Sequence, residues 1–165
     1  MRFLKNVFSQ LHTFVLWLLM SALFWGWIFT MVTDTTPDKK LTVYCQVPAL
    51  EDTALAVKLE EEKPEGLRMV KVHSFSYVMF NTDDFYQADI FILPASEIET
   101  YAELLGPVGE RRGVKVYDAE TGAGIALEYI RYPEEDCYLF LGTGSAHLED
   151  GKALAMAETL LALCA

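Results

Sequence analysis

Apolar and polar residues follow two regimes along this chain. From Phe14 to Val32 it reads Phe-Val-Leu-Trp-Leu-Leu-Met-Ser-Ala-Leu-Phe-Trp-Gly-Trp-Ile-Phe-Thr-Met-Val, and no Lys, Arg, Asp or Glu falls between Lys5 and Asp34. About 20 apolar residues carry a helix across the ~30 Å hydrocarbon core of a bilayer. The pattern therefore predicts a tail over 1–10, a membrane-crossing helix over 11–32 and a polar spacer over 33–40 that is broken by Pro37.

Beyond the spacer the periods shorten. Leu41 to Val47 alternates with a period of two and stops at Pro48, as a strand does. Glu51 to Lys63 carries Leu55 and Leu59 four apart and is halted by Pro64 and Gly66, which predicts a helix. Met69 to Ser74 is a second strand, and Phe75 to Phe80 and Asp83 to Tyr86 read as helical turns. Ala88 to Leu93, apolar apart from Asp89 and closed by Pro94, has the character of a central parallel strand covered on both faces. Ser96-Glu-Ile-Glu99 forms a capping box ahead of Ile98, Tyr101, Ala102 and Leu105 at helical spacing, with Gly106-Pro107 as the stop, so a helix is expected here. Val114 to Asp118, Ile125 to Tyr132 and Tyr138 to Gly142 are strand-like with only turns between them, and Lys152 to Cys164 is a helix apolar almost all round.

Strand, helix, strand, turns, strand, helix calls for a parallel sheet with right-handed crossovers, and the later strands for an antiparallel extension of it. The expected architecture is α/β: one N-terminal transmembrane helix, then one three-layer domain over 41–165. Of the 165 residues, roughly 125 to 130 follow the span, enough for one hydrophobic core.

Charge changes the picture of partners. Thirteen bases face 24 acids, and since Arg2 and Lys5 precede the span while every acid follows it, residues 34–165 carry eleven bases against 24 acids, a net of −13. Such a surface repels phosphate backbones and anionic headgroups, which argues against nucleic acid as a partner. Cys45, Cys137 and Cys164 lack the spacing of a disulfide framework or a zinc site and read as buried thiols, with a Cys45–Cys137 bridge as the alternative. Glu60, Glu61 and Glu62 are consecutive, so a helix spreads them over different faces and no metal is expected there.

A secretory signal is the rival to an anchor. The apolar run exceeds the 7 to 15 residues of a signal core, and Thr30 to Thr33 offers no small-x-small cleavage site. The span is expected to stay as an integral membrane anchor. Lys39 and Lys40 beyond it balance Arg2 and Lys5 before it, so only the free amino terminus tips the positive-inside count toward a cytoplasmic tail and an extracytoplasmic domain. Ala22 and Gly26, a small pair four apart, read as chance in a lipid-facing helix.

In open α/β sheets ligands sit beyond the carboxyl ends of the parallel strands. That rule gathers Ser74, Ser76, Tyr77 and Ser96 as candidate ligand-binding residues. Ser96, at an expected helix start, joins free backbone N–H groups suited to an anion or carboxylate, against the plainer reading of a helix cap. Asp118 is a further candidate at a strand end, where a turn-forming role is the plainer one. Gly142-Thr-Gly-Ser-Ala-His147 lacks the lysine of a phosphate loop and reads as a strand-to-helix turn. His73 and His147 have no G-x-S-x-G, H-E-x-x-H or C-x-x-C around them, so no catalytic residue, cofactor or enzymatic activity is assigned.

Lys40-Leu-Thr-Val-Tyr, Val70-Lys-Val-His-Ser-Phe-Ser-Tyr-Val-Met-Phe80, Ala88-Asp-Ile-Phe-Ile-Leu-Pro-Ala-Ser96, Gly113-Val-Lys-Val-Tyr-Asp118 and Tyr138-Leu-Phe-Leu-Gly142 together resemble one lobe of bacterial extracellular solute-binding proteins. The whole layout is similar to small membrane proteins of Gram-positive bacteria that carry such a lobe behind an anchor. The resemblance implies a periplasmic-binding-like fold and an extracytoplasmic site. A second lobe and a lipobox cysteine, which a full binding protein of that kind has, are missing from this sequence. The expected function is a membrane-anchored, non-enzymatic domain that binds a small solute or a membrane-protein partner. The alternatives are the substrate-binding component of an ABC importer, a serine-dependent hydrolase, and a cytoplasmic-side subunit of a membrane complex.

Overall fold

The computed structural model describes residues 2–33, 36–47, 52–74, 83–124 and 134–163. The chain divides into two compact units, Met1–Thr35 and Thr36–Ala165. The first is a single helix, α1 (Arg2–Thr33), within which Leu11–Phe29 is long and apolar enough to cross a membrane. Its 19 residues span about 28 Å at 1.5 Å per residue. Large side chains from Leu11 to Phe29 are exposed along the whole stretch, as suits an apolar surrounding rather than a protein core.

The second unit is an α/β domain with one mixed six-stranded sheet. Its elements are β1 (Lys40–Cys45), α2 (Asp52–Glu61), β2 (Met69–Ser74), α3 (Asp83–Tyr86), β3 (Ile90–Pro94), β4 (Leu105–Gly106), β5 (Val114–Tyr117), β6 (Cys137–Gly142) and α4 (Lys152–Ala162). β2, β1 and β3 lie side by side and parallel, with Val43 opposite both Val72 and Ile90. β6 closes antiparallel on β3, Phe91 opposite Phe140, and its far edge takes β4 at Leu141 and Gly142 and β5 at Cys137 to Leu139. The expected parallel sheet and antiparallel extension are thus both present. The strand-like run at 125–132 and the turn at 75–80 lie outside the described residues.

Alternation along the strands divides the core into two faces. Leu41, Val43 and Cys45 of β1 join Val70, Val72, Ile90, Ile92, Leu139 and Leu141 in an aliphatic layer covered by Leu55 and Leu59 of α2 and by Ala153, Met156, Ala157 and Leu160 of α4. Tyr44, Phe91, Leu93 and Phe140 point the other way and meet Phe85 and Tyr101 in an aromatic layer. Cys45 and Cys137 are buried free thiols on the aliphatic side, and burial pushes Cys137 up to about 11.

Two expectations change. The helix expected from Ser96 to Leu105 is a short 3-10 turn, Ala95–Glu97, followed by turns. The chain must come back to the sheet edge within ten residues, and it does so through backbone bonds that a helix would consume. Thr143 N–H and Oγ–H donate to the carbonyls of Leu104 (3.0 Å) and Glu103 (3.1 Å), and β4 pairs with β6 immediately afterwards. The spacer is also shorter than its composition implies. Pro37–Lys39 forms a 3-10 turn within the domain unit, and Lys40 is already the first residue of β1.

Candidate functional site

The two ends of the parallel sheet are chemically unlike. At the amino end, Asp89 stands just ahead of β3 and is 2 % exposed. Its Oδ2 accepts the Thr42 N–H at 2.7 Å and its Oδ1 the Ser145 hydroxyl at 2.5 Å, while Asp89 N–H donates back to the Thr42 carbonyl at 3.0 Å. Burial pushes the Asp89 carboxyl up, against the pull of those two hydrogen bonds. Ser145 Oγ in turn accepts the His147 backbone N–H at 3.0 Å. The His147 ring, 1 % exposed, lies between the Asp150 carboxylate (Nδ1, 3.1 Å) and the Pro37 carbonyl (Nε2, 3.2 Å), tying the β6–α4 loop to the turn that opens the domain. Lys152 holds Asp150 below the usual carboxylate range, with His147 contributing less.

Gly142 and Gly144 belong to this end as well. A Cβ on Gly142 would overlap the Ala88 carbonyl oxygen, and one on Gly144 the Tyr86 carbonyl oxygen. The Gly-Thr-Gly run lets β6 leave the sheet with its backbone against the α3–β3 connection, which gives the expected strand-to-helix turn a packing reason and leaves no cradle for a phosphate.

The carboxyl end holds the candidate residues. Ser74 closes β2 and is exposed, and Ser96 is exposed two residues after β3. Each lies on a strand that flanks β1, so about two strand spacings, ~10 Å, separate their strands. Ser76 and Tyr77 lie outside the described residues. Ser96 is the second residue of its 3-10 turn rather than a helix cap, and its N–H donates to Glu135 Oε2 at 3.2 Å. A carboxylate of the protein therefore already accepts from the N–H that was expected to meet an external anion.

Asp118 takes the turn-forming role. Its Oδ1 accepts the N–H groups of Glu120 and Thr121, both at 3.0 Å, and its Oδ2 pairs with Lys115 at 3.0 Å. Lys115 also reaches Asp136 Oδ2 at 2.6 Å, and Asp136 Oδ1 accepts the Ala119 N–H at 2.9 Å. This shared lysine, helped by the turn N–H groups, brings Asp118 down to about 2 and lowers Asp136. Ala95 N–H donates to the Asp136 carbonyl at 2.9 Å, so the ends of β3, β5 and β6 are laced together here.

Just past the end of β1, the middle one of the three parallel strands, Gln46 Oε1 is buried and accepts no hydrogen bond among the described residues. Sequence reasoning missed it because a single glutamine after a strand carries no motif. Asp89 was legible in hindsight as a lone acid inside an apolar run, which a buried strand tolerates only with donors waiting for it.

The two described histidines of the domain lie in different settings. The His73 ring lies 5.3 Å from the Tyr44 ring, tilted by 30°, and Ser74, its neighbour on a strand, faces the opposite side of the sheet. Both His147 ring nitrogens are engaged at the amino end, away from Ser74 and Ser96. Among the described residues no group of three or more His, Cys, Asp or Glu is gathered to hold a metal. Comparison with protein-family models, curated proteins and solved structures finds no match to this chain.

Proposed function

We propose that this protein is a single-pass, membrane-anchored domain, extracytoplasmic and non-enzymatic, that binds a small solute or a membrane-protein partner at the carboxyl end of its parallel strands. The observation that carries the reading is Gln46. A buried amide oxygen without a donor costs about 1–3 kcal/mol, and it lies just past the carboxyl end of β1, the middle one of the three parallel strands, on the side that open α/β sheets use for ligands. Exposed Ser74 and Ser96 on either side add donors of the kind a polar solute or a backbone segment would meet. The strand order β2, β1, β3 with an antiparallel β6 supports the likeness to a solute-binding lobe. The engagement of His147 with Asp150 and Pro37 favours this reading over a serine hydrolase.

The test uses the full chain in a non-ionic detergent. Thermal unfolding is screened against sugars, amino acids and short peptides, in the parent and in Gln46→Ala. A ligand that raises the parent's Tm and loses that effect in Gln46→Ala is the expected result. No response, together with no membrane protein copurifying, would overturn the reading. Protease treatment of intact cells checks the side of the membrane independently: the domain is expected to be cut from outside, and full protection would place it in the cytoplasm.

A further inference from the structure

A second concavity lies at the opposite end of the sheet from Gln46, on the aromatic face. It is a groove of about 360 Å³ between α3 and the turns at 99–104, within the volume range of small-molecule sites. Its inner wall is made by Phe85 and Tyr101, both buried, and half-exposed Tyr86 stands beside them. Phe85 meets Tyr86 edge-on at 5.6 Å and Tyr101 at 5.9 Å, so the three rings form a corner rather than a flat stack. Glu99 and Glu103 line the other side, and neither makes an ion pair among the described residues.

The charge on the groove's lining is one-sided. Residues 72–110 contain seven acids and not one Lys or Arg, so the groove is built from a stretch with no cation of its own. The ion pair of Lys40 with Asp84, at 3.0 Å, neutralises an acid outside the lining. Aromatic faces attract a cation through the ring quadrupole, most strongly one that sheds its water easily. An alkylated ammonium fits both walls: its methyl groups lie against the rings, and its charge answers Glu99 and Glu103. A hydrated metal ion would use the carboxylates and gain nothing from the rings.

We propose that the groove between α3 and residues 99–104 binds a quaternary ammonium group. This site is separate from the one at Gln46, and it stands or falls independently of it. The head group could arrive on a free solute or on a choline lipid, and the two sources are distinguished by experiment. A zwitterion that carries its own carboxylate close to the ammonium is disfavoured, because Glu99 and Glu103 repel it.

The test follows aromatic ring resonances of the full chain in maltoside micelles, free of choline detergents, during titration with choline. Saturable shifts of the Phe85, Tyr86 and Tyr101 signals are expected. Uncharged 3,3-dimethylbutan-1-ol, which has the shape of choline, should bind at least about tenfold more weakly, and glycine betaine should also be weaker than choline. Tyr86→Ala should weaken choline about three- to tenfold, roughly 0.7–1.4 kcal/mol at 1.4 kcal/mol per factor of ten, as suits loss of a partly exposed cation–π contact. The double variant Glu99→Gln, Glu103→Gln changes only exposed groups and should do so without loss of fold. Calcium should not compete. If phosphatidylcholine nanodiscs abolish choline binding while phosphatidylglycerol nanodiscs leave it, the source is a lipid head group; if choline binds equally in both, it is a free solute. Absence of saturable shifts, equal binding of the uncharged isostere, displacement by calcium, or indifference to both variants would each overturn the proposal.

Discussion

The amino and carboxyl ends of one sheet solve opposite problems with similar residues. At the amino end a buried aspartate, a serine and a histidine are each matched by internal partners, and glycines let backbones touch. At the carboxyl end the polar groups are exposed, laced loosely by Lys115, and one buried amide oxygen is left over. A fully matched polar network fixes geometry, whereas unused hydrogen-bonding capacity is available to something else. Stability should therefore respond to changes in the matched network at the first end, and recognition at Gln46 to changes at the second.

The largest effect is expected at Gly142. A methyl there meets a backbone carbonyl that has no room to retreat, so Gly142→Ala should cost about 3 kcal/mol, at the upper end of overpacking penalties. Gly144→Ala, pressed against the Tyr86 carbonyl, should behave similarly. Chemical denaturation of the full chain in detergent checks both, and a loss below about 0.5 kcal/mol would mean that the amino end is not close-packed. Next comes Asp89→Ala, which strands the buried Thr42 N–H and should cost about 1–3 kcal/mol. Asp89→Asn keeps an acceptor for that N–H and should cost less than Asp89→Ala.

Much of this contrast was legible from residue order, though unevenly. Leu41 to Val47 and Met69 to Ser74 announced their strands because both are alternating and both are terminated, and Lys152 onward announced a buried helix by its apolar girth. Ser96 to Leu105 misled because capping and periodicity are local signals, while the bonds that the Leu104 and Glu103 carbonyls accept from Thr143 come from the end of a strand about forty residues away. The candidate site suffered in the same manner. Ser74 and Ser96 were placed correctly at strand ends, but the Glu135 carboxylate on Ser96 and the orphan oxygen of Gln46 depend on tertiary neighbours. Asp118 needed none, since an acid before a Gly-containing turn makes its contacts within three residues.

Titration offers a finer probe of the two ends. Asp118, at about 2, and Asp136 lie below the ordinary carboxylate value of about 3.9. Their stabilisation is present above that value and is lost as pH falls through it toward the folded values; Asp150 at the amino end adds to the same loss. Asp89 has the opposite sign. Its raised folded value means that the folded state keeps a proton the unfolded chain has released, so its contribution falls as pH rises from about 4 toward that value. Asp118→Asn should flatten the decline of stability between about pH 4 and pH 2, and Asp89→Asn should leave that decline and flatten the opposing slope above pH 4. Denaturation midpoints measured across pH 2 to 7 check both, as rough limits set by the reference value, and an identical change of slope in the two variants would contradict the assignment.

The smallest effect on stability is the most informative about function. Ser74 and Ser96 are exposed, and the one hydrogen bond identified at Ser96 uses its backbone N–H, which alanine retains. Ser74→Ala and Ser96→Ala should therefore each shift unfolding by less than about 0.5 kcal/mol. If the carboxyl end receives a ligand, the same substitutions should shrink the Tm increment that the ligand produces, because a lost contact lowers affinity and the increment follows the logarithm of ligand over Kd. Gly142→Ala should do the reverse, lowering the baseline Tm while leaving the increment in place. A ligand increment that tracked Gly142→Ala and ignored both serines would move recognition of that ligand to the other end of the sheet, since the glycine and the serines lie at opposite ends.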